Sequence, residues 1–316
     1  MNIFILENFK VFTVNSLSRK NFFLKYISYY YKKYNNKNNC IGIDYEFYNK
    51  NISLIQFGFY EKTRKYIFIL DPNIFSNEEN QIIINLIYIS NIWKILHGSE
   101  SLDIPYLYNL LGSNENKITC TKKIIDTKFL CEYDTFKCSL YNSLLKYNVI
   151  NNQKYEELVK LNKNIGKVYK LNWNLNNIKF NIIKYAAYDV LYLKQLLKSI
   201  LKSSSNKTHI KINVQLLHLI YFIKDNIIKL EELPNITNIK KIYEKIIDKN
   251  INNISKFLSI NYFKTTLIYI IKNIIVNIIS DFTYNIFDVL EEYKFTYIYK
   301  YFYEIKLQIN NNEFII

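Results

Sequence analysis

The sequence predicts an α/β fold: a mixed sheet flanked by helices, followed by a mostly helical C-terminal region. Three observations lead there. Three short β-rich runs follow one another between residues 41 and 70, separated by polar turns. Strand-like and helix-like segments then alternate to about residue 201. Beyond residue 203 the apolar spacing is helical almost throughout.

Each element has its own signal. Lys10–Val14 alternates like a short strand. Ser16 supplies an N-cap for a helix from Leu17 to Tyr34, and NNKNN at 35–39 is a loop. IGID at 41–44 is an apolar run ending in an acid. ISLIQFGF at 52–59 and YIFIL at 66–70 are two further runs, joined by the polar turn EKTRK, so the three predict an antiparallel meander. Asp71-Pro72 stops the third strand, and Ser76 with Glu79 forms a capping box for a helix reaching Ile89. IWKIL at 92–96 reads as a buried strand. A helix from Ser101 to Leu111 ends at Gly112. Ile124–Asp126 is another strand, and Ser139–Tyr147 has helical spacing. Residues 151–177 are polar, Lys-rich and without a clear period. Ile178, Ile182, Tyr185, Asp189, Leu193 and Leu196 predict one strong helix over 178–201. SSSNK at 203–207 is the linker candidate. Helices follow it, interrupted at Pro234, and Tyr293–Ile316 alternates enough to suit a strand.

The 316 residues suit one large domain or two of ordinary size. Composition is skewed: 54 Ile, 44 Asn and 30 Tyr stand against 5 Gly, 3 Pro and 2 Ala. Ile, Asn, Lys and Tyr share AT-rich codons, so much of this bias belongs to the genome rather than the fold. Low Gly and Pro exclude collagen-like and Pro-rich disordered chains. Cys40, Cys120, Cys131 and Cys138 are too few and scattered for a disulfide scaffold, and no pair has CxxC spacing for zinc. They predict reduced, partly buried thiols in an intracellular protein, without resolving nucleus, cytoplasm or organelle. The most apolar tract, Phe257–Ser280, is interrupted by Lys264 and Lys272, so no membrane partner is expected. No secretory signal opens the chain. Residues 8–43 lack acids, a feature transit peptides share. The net charge of +15 suits a polyanion such as nucleic acid, although codon bias also inflates Lys everywhere.

The informative residues are acids. In IGIDYEF, Asp44 and Glu46 are two apart on a strand and therefore point to the same side. Two adjacent carboxylates repel unless a cation lies between them, and such hard oxygen ligands suit Mg²⁺ or Mn²⁺; a solvent-exposed strand end is the plainer reading. Asp103 opens a helix, where an acid also favours the dipole. Asp189 lies on the apolar face of the 178–201 helix with Tyr185 one turn earlier, and there it needs a metal or another partner.

In order along the chain these segments resemble the RNase D-type branch of the DEDD 3′–5′ exonucleases. IGIDYEF with ISLIQFG resembles the first motif, KILHGSESLDIPYLYNLLG at 94–112 the second, and KYAAYDVLYLKQL at 184–196 the tyrosine-type third. IIDTKFL, CSLYNSLLKYNV and LNW near Trp173 are similar to the intervening segments. The only two Ala, Ala186 and Ala187, fall inside the third motif, which points to a local steric need. One departure concerns the second motif: Asp103 stands six residues after His97 where the family has five, leaving Glu100 as the fallback ligand.

The resemblance covers about residues 8–202. It implies a ribonuclease H-like fold with a five-stranded mixed sheet, an exonuclease domain at 1–202 and a helical accessory region at 203–316. It also implies metal-dependent 3′–5′ hydrolysis of RNA or single-stranded DNA from the 3′ end, with two Mg²⁺ or Mn²⁺ ions held by Asp44, Glu46, Asp103 and Asp189, and Tyr185 orienting the attacking water. Asp44 would bridge the ions. Phe47 could stack on the terminal base, and Lys128 could meet a phosphate. His97 could touch the scissile region or be a satisfied strand-end histidine. Asp126 reads as a structural hydrogen-bonding residue. The accessory region leaves substrate binding, a protein partner or oligomerisation, and structural completion open. A catalytically inactive nucleic-acid-binding or scaffold protein is the alternative function, and a DNA proofreading or repair accessory a third.

Overall fold

The computed structural model describes residues 3–37, 39–99, 102–121, 123–132, 138–171 and 173–203. In chain order the elements are β1 (Ile3–Leu6), β2 (Phe9–Val14), α1 (Leu17–Tyr34), β3 (Cys40–Tyr48), β4 (Asn51–Tyr60), β5 (Lys65–Leu70), α2 (Asn77–Ile83), β6 (Trp93–Leu96), α3 (Asp103–Leu111), α4 (Asn114–Thr121), β7 (Ile124–Asp126), α5 (Thr127–Glu132), α6 (Leu140–Lys146), α7 (Asn152–Ile165), α8 (Phe180–Leu191) and α9 (Leu193–Ser203). The sheet runs β1-β2-β5-β4-β3-β6-β7. β3, β4 and β5 form the antiparallel meander. β6 and β7 extend it in parallel beyond β3, and β2 joins β5 in parallel.

The sheet has seven strands where the resemblance implied five. β2 was legible in its alternation. β1 was not, because IFIL is apolar on both faces; it turns back at Glu7, whose φ is +54°, and pairs antiparallel with β2. Helix α1 has the expected bounds, although the Ser16 side chain makes no capping bond. The Ser76–Glu79 capping box is present in both directions, but α2 passes into a π-helical turn at Ile84–Tyr88. The expected single helix over 178–201 is two, α8 and α9, broken at Tyr192. The Val190 carbonyl there accepts the Tyr60 hydroxyl and the Tyr192 amide, and α9 starts anew with Leu196 N–H donating to Tyr192. Helix α7 lies where no period was legible: it buries only Leu158 and Leu161, too narrow a stripe to stand out among Lys and Asn.

The two sheet faces differ in chemistry. On one, Phe23, Tyr26 and Tyr30 of α1 meet Phe57, Phe59 and Phe68 in a buried aromatic cluster. The alternate residues of β3 and β4, including Gly42, Asp44, Glu46, Gln56 and Gly58, look the other way, where the Val190 carbonyl of α8 closes on Gly42 and Gly58. Cys131 and Cys138 are joined by a disulfide, correcting the expectation of four reduced thiols; α5 and α6 bring their Cα atoms to 5.9 Å. Cys40 and Cys120 are free and buried. Among the described residues no helix is long and apolar enough to cross a membrane. The Phe257–Ser280 tract, Pro234 and the expected strand at 293–316 lie outside the described residues, as does the accessory region from residue 204 onward.

Candidate active site

The closeness of α8 to the sheet is built from small residues. Gly42 and Gly58 are directly paired. A Cβ on Gly42 would overlap the Tyr60 hydroxyl and stand 3.2 Å from the Val190 carbonyl oxygen. Tyr60 arches over both glycines and donates its hydroxyl to that carbonyl. Ala186 and Ala187, the only alanines, are fully buried on α8. Larger side chains at these fully buried positions would have to displace their neighbours.

That approach sets Asp189 beside β3. The carboxylate oxygens of Asp44, Glu46 and Asp189 lie within 4.8 Å of one another. Asp44 and Asp189 are half-buried and Glu46 is buried. Burial pushes the Asp44 carboxyl up to about 7, against a hydrogen bond from the Tyr45 backbone. Burial also raises Glu46 well above the ordinary carboxylate range, with further push from the charges of Asp44, Asp189 and Asp103. Asp189 is raised by burial and by Asp44, while the Tyr185 hydroxyl bond to it pulls the other way. Three carboxylates that resist joint ionisation, offering only hard oxygens, fit a divalent cation such as Mg²⁺ or Mn²⁺.

The other expected site residues are less uniform. Asp103 is half-buried at the start of α3; it acts on Glu46 through charge and stands outside the close trio. Glu100 lies outside the described residues. Tyr185 sits one turn before Asp189, its ring 6.5 Å from Trp173, and burial with the nearby acids keeps its phenol protonated. Phe47 follows a bulge at Glu46/Phe47, half-buried and edge-on to Tyr106. Lys128 passes over Gly98, and its backbone amide donates to Asp126.

His97 takes the satisfied role rather than the substrate contact. Its Nε2 bonds the Cys138 carbonyl and its Nδ1 the Thr127 hydroxyl, each at 2.9 Å. The carbonyl only accepts, so the neutral ring carries its proton on Nε2. Burial pushes its pKa down to about 4. Asp126 accepts from the Gly98 and Ser99 amides, the Ser99 hydroxyl and the Lys128 amide, which fixes the turn after β6. Sequence reasoning missed Tyr141 of α6. Its phenol is raised by burial, then by the charges of Asp189, Asp44 and Glu46, so it lies within electrostatic reach of the acids. In the sequence it is one more aromatic in a helical run, with nothing to separate it from core.

A family described as 3′–5′ exonuclease matches residues 19–204. Protein L533 of Acanthamoeba polyphaga mimivirus is 31% identical over 338 aligned residues, which span 85% of this chain and 66% of that protein. NrnC of Brucella melitensis is 14% identical over 64% of this chain and 91% of its own, with a TM-score of 0.44. The EXO domain of Aedes aegypti Nibbler is 14% identical over 66% of this chain and 94% of its own, with a TM-score of 0.42. With the motifs in order, the mixed sheet under α8 and a family match over more than half its length, the chain belongs to the 3′–5′ exonuclease family, with a ribonuclease H-like fold.

Proposed function

We propose that this chain is a metal-dependent hydrolase that removes nucleoside 5′-monophosphates from the 3′ end of RNA or single-stranded DNA. The observation that carries the reading is the trio of carboxylates within 4.8 Å on the face of β3 covered by α8. Asp44, Glu46, Asp103 and Asp189 would hold two Mg²⁺ or Mn²⁺ ions. Such ions offset the carboxylate charge and the charge building on the phosphate, and lower the pKa of an attacking water. Tyr185 stays protonated one turn before Asp189, where its hydroxyl would orient the attacking water. Phe47 offers a half-exposed ring for the terminal base. Lys128 offers a cation for a phosphate. Both ring nitrogens of His97 are engaged within the protein, so its part is to hold Cys138 and the start of α6. The activity is assigned to residues 1–202, with 203–316 as an accessory region.

The test is degradation of 3′-labelled single-stranded RNA and DNA with Mg²⁺ or Mn²⁺, and with EDTA. Metal-dependent loss of terminal mononucleotides is the expected result. Binding without cleavage on either substrate would move the chain to the inactive, nucleic-acid-binding reading. A higher rate on recessed duplex ends than on single strands would favour DNA proofreading or repair.

A further inference from the structure

Four buried side-chain polar atoms have no hydrogen-bond partner among the described residues: both amide atoms of Gln56, the Tyr141 hydroxyl oxygen and the Trp173 indole nitrogen. Each belongs to a residue near the acids or near Tyr185. Gln56 is paired with Asp44 across the β3–β4 ladder and shares its face. The Trp173 ring neighbours Tyr185. Tyr141 lies in electrostatic reach of Asp189, Asp44, Glu46 and Tyr185. A buried polar atom without a partner lowers stability. A fold that concentrates such atoms around one cluster holds them for something that arrives there.

Tyr141 is the one whose chemistry is most defined. Its mount is rigid. The Cys138 carbonyl just before α6 accepts from His97 Nε2, the Ser143 hydroxyl donates to Ser139 O, and the disulfide ties Cys138 to Cys131 of α5. Only 9% of Tyr141 is exposed. A phenol is protonated at neutral pH, so it presents a donor. A substrate phosphate entering beside three carboxylates needs donors on its non-bridging oxygens, because the carboxylates offer none.

We propose that the Tyr141 hydroxyl is a second active-site phenol, donating to a non-bridging oxygen of the 3′-terminal phosphodiester that lies over Asp44, Glu46 and Asp189. It thereby differs from Tyr185, which stands on α8 one turn before Asp189. The assignment rests on the hydrolase reading. The donor stands ready before substrate arrives, so its contribution requires no reorganisation.

Tyr141→Phe removes the hydroxyl and little else. Three readouts on the full chain test the assignment: the thermal midpoint with and without Mn²⁺, the affinity for AMP and dAMP in Mn²⁺, and kcat on a 3′-labelled single-stranded oligonucleotide. The variant is expected to keep or raise the metal-free midpoint and to keep the wild-type Mn²⁺-induced rise. It is expected to lose roughly tenfold or more in mononucleotide affinity and in kcat, as for a hydrogen bond to a charged group. Wild-type affinity and kcat in the variant would overturn the assignment, whatever its midpoint. Should the wild-type protein neither cleave nor bind mononucleotide with Mn²⁺, the hydrolase reading falls and this one with it.

Discussion

At the residue scale the site holds charge where charge is costly. Asp44, Glu46 and Asp189 all have carboxyls raised by burial and by one another. A carboxyl raised in the folded state binds its proton more tightly there than in the unfolded chain. The stability it lends is therefore full below the ordinary carboxylate range and is lost as pH climbs through the folded value, about 7 for Asp44. Without metal, the thermal midpoint should fall between about pH 4 and pH 8, and Mg²⁺ or Mn²⁺ should restore it at the upper end. Asp44→Asn should abolish cleavage yet raise the metal-free midpoint at pH 8 by roughly 3 °C or more, measured in EDTA. A lower midpoint in that variant would show that Asp44 serves the fold instead. Tyr185→Phe should slow cleavage about tenfold to a hundredfold while leaving the metal-induced rise in midpoint within a degree or so of wild type. Equal loss of both would mean that Tyr185 acts by holding Asp189 in place.

At the scale of elements, the site exists because α8 lies unusually close to β3 and β4. Gly42, Gly58, Ala186 and Ala187 leave room, and the Tyr60 hydroxyl ties the helix through Val190. Gly42→Ala should destabilise the protein by about 1–3 kcal/mol, because its Cβ would meet Tyr60. It should also weaken metal binding more than an equally destabilising change in the α1 aromatic cluster. Loss of stability with metal affinity intact would separate the glycine pair from the site. Much of this architecture was legible in the sequence. The meander, β6 and β7 announced themselves as apolar runs, and α1 as a capped helix. The pair Asp44 and Glu46 was readable from strand periodicity, and Asp189 from its place on an apolar helix. What was not legible has physical causes. β1 lacks alternation, and α7 buries too narrow a stripe. At the break at Tyr192, the Val190 carbonyl accepts from Tyr60, 130 residues away in sequence. The Cys131–Cys138 disulfide and the arrival of Tyr141 at the acids depend on how α5 and α6 dock, which local pattern does not encode.

At the scale of the whole molecule, two kinds of charge divide the work. The excess of +15 is spread through a Lys-rich sequence and suits the attraction of a polyanion. The chemistry falls to the minority charge, gathered where β3 meets α8. The family match over residues 19–204 takes in all three of those carboxylates. The most direct measurement of the central claim is release of labelled mononucleotide from the 3′ end of a single-stranded oligonucleotide, comparing wild type with Asp44→Asn at equal folded concentration, in Mn²⁺ and in EDTA. Stepwise 3′ shortening by wild type in Mn²⁺ alone, and none by the variant, is the expected result. Shortening that persists in EDTA, or that Asp44→Asn performs at the wild-type rate, would contradict it.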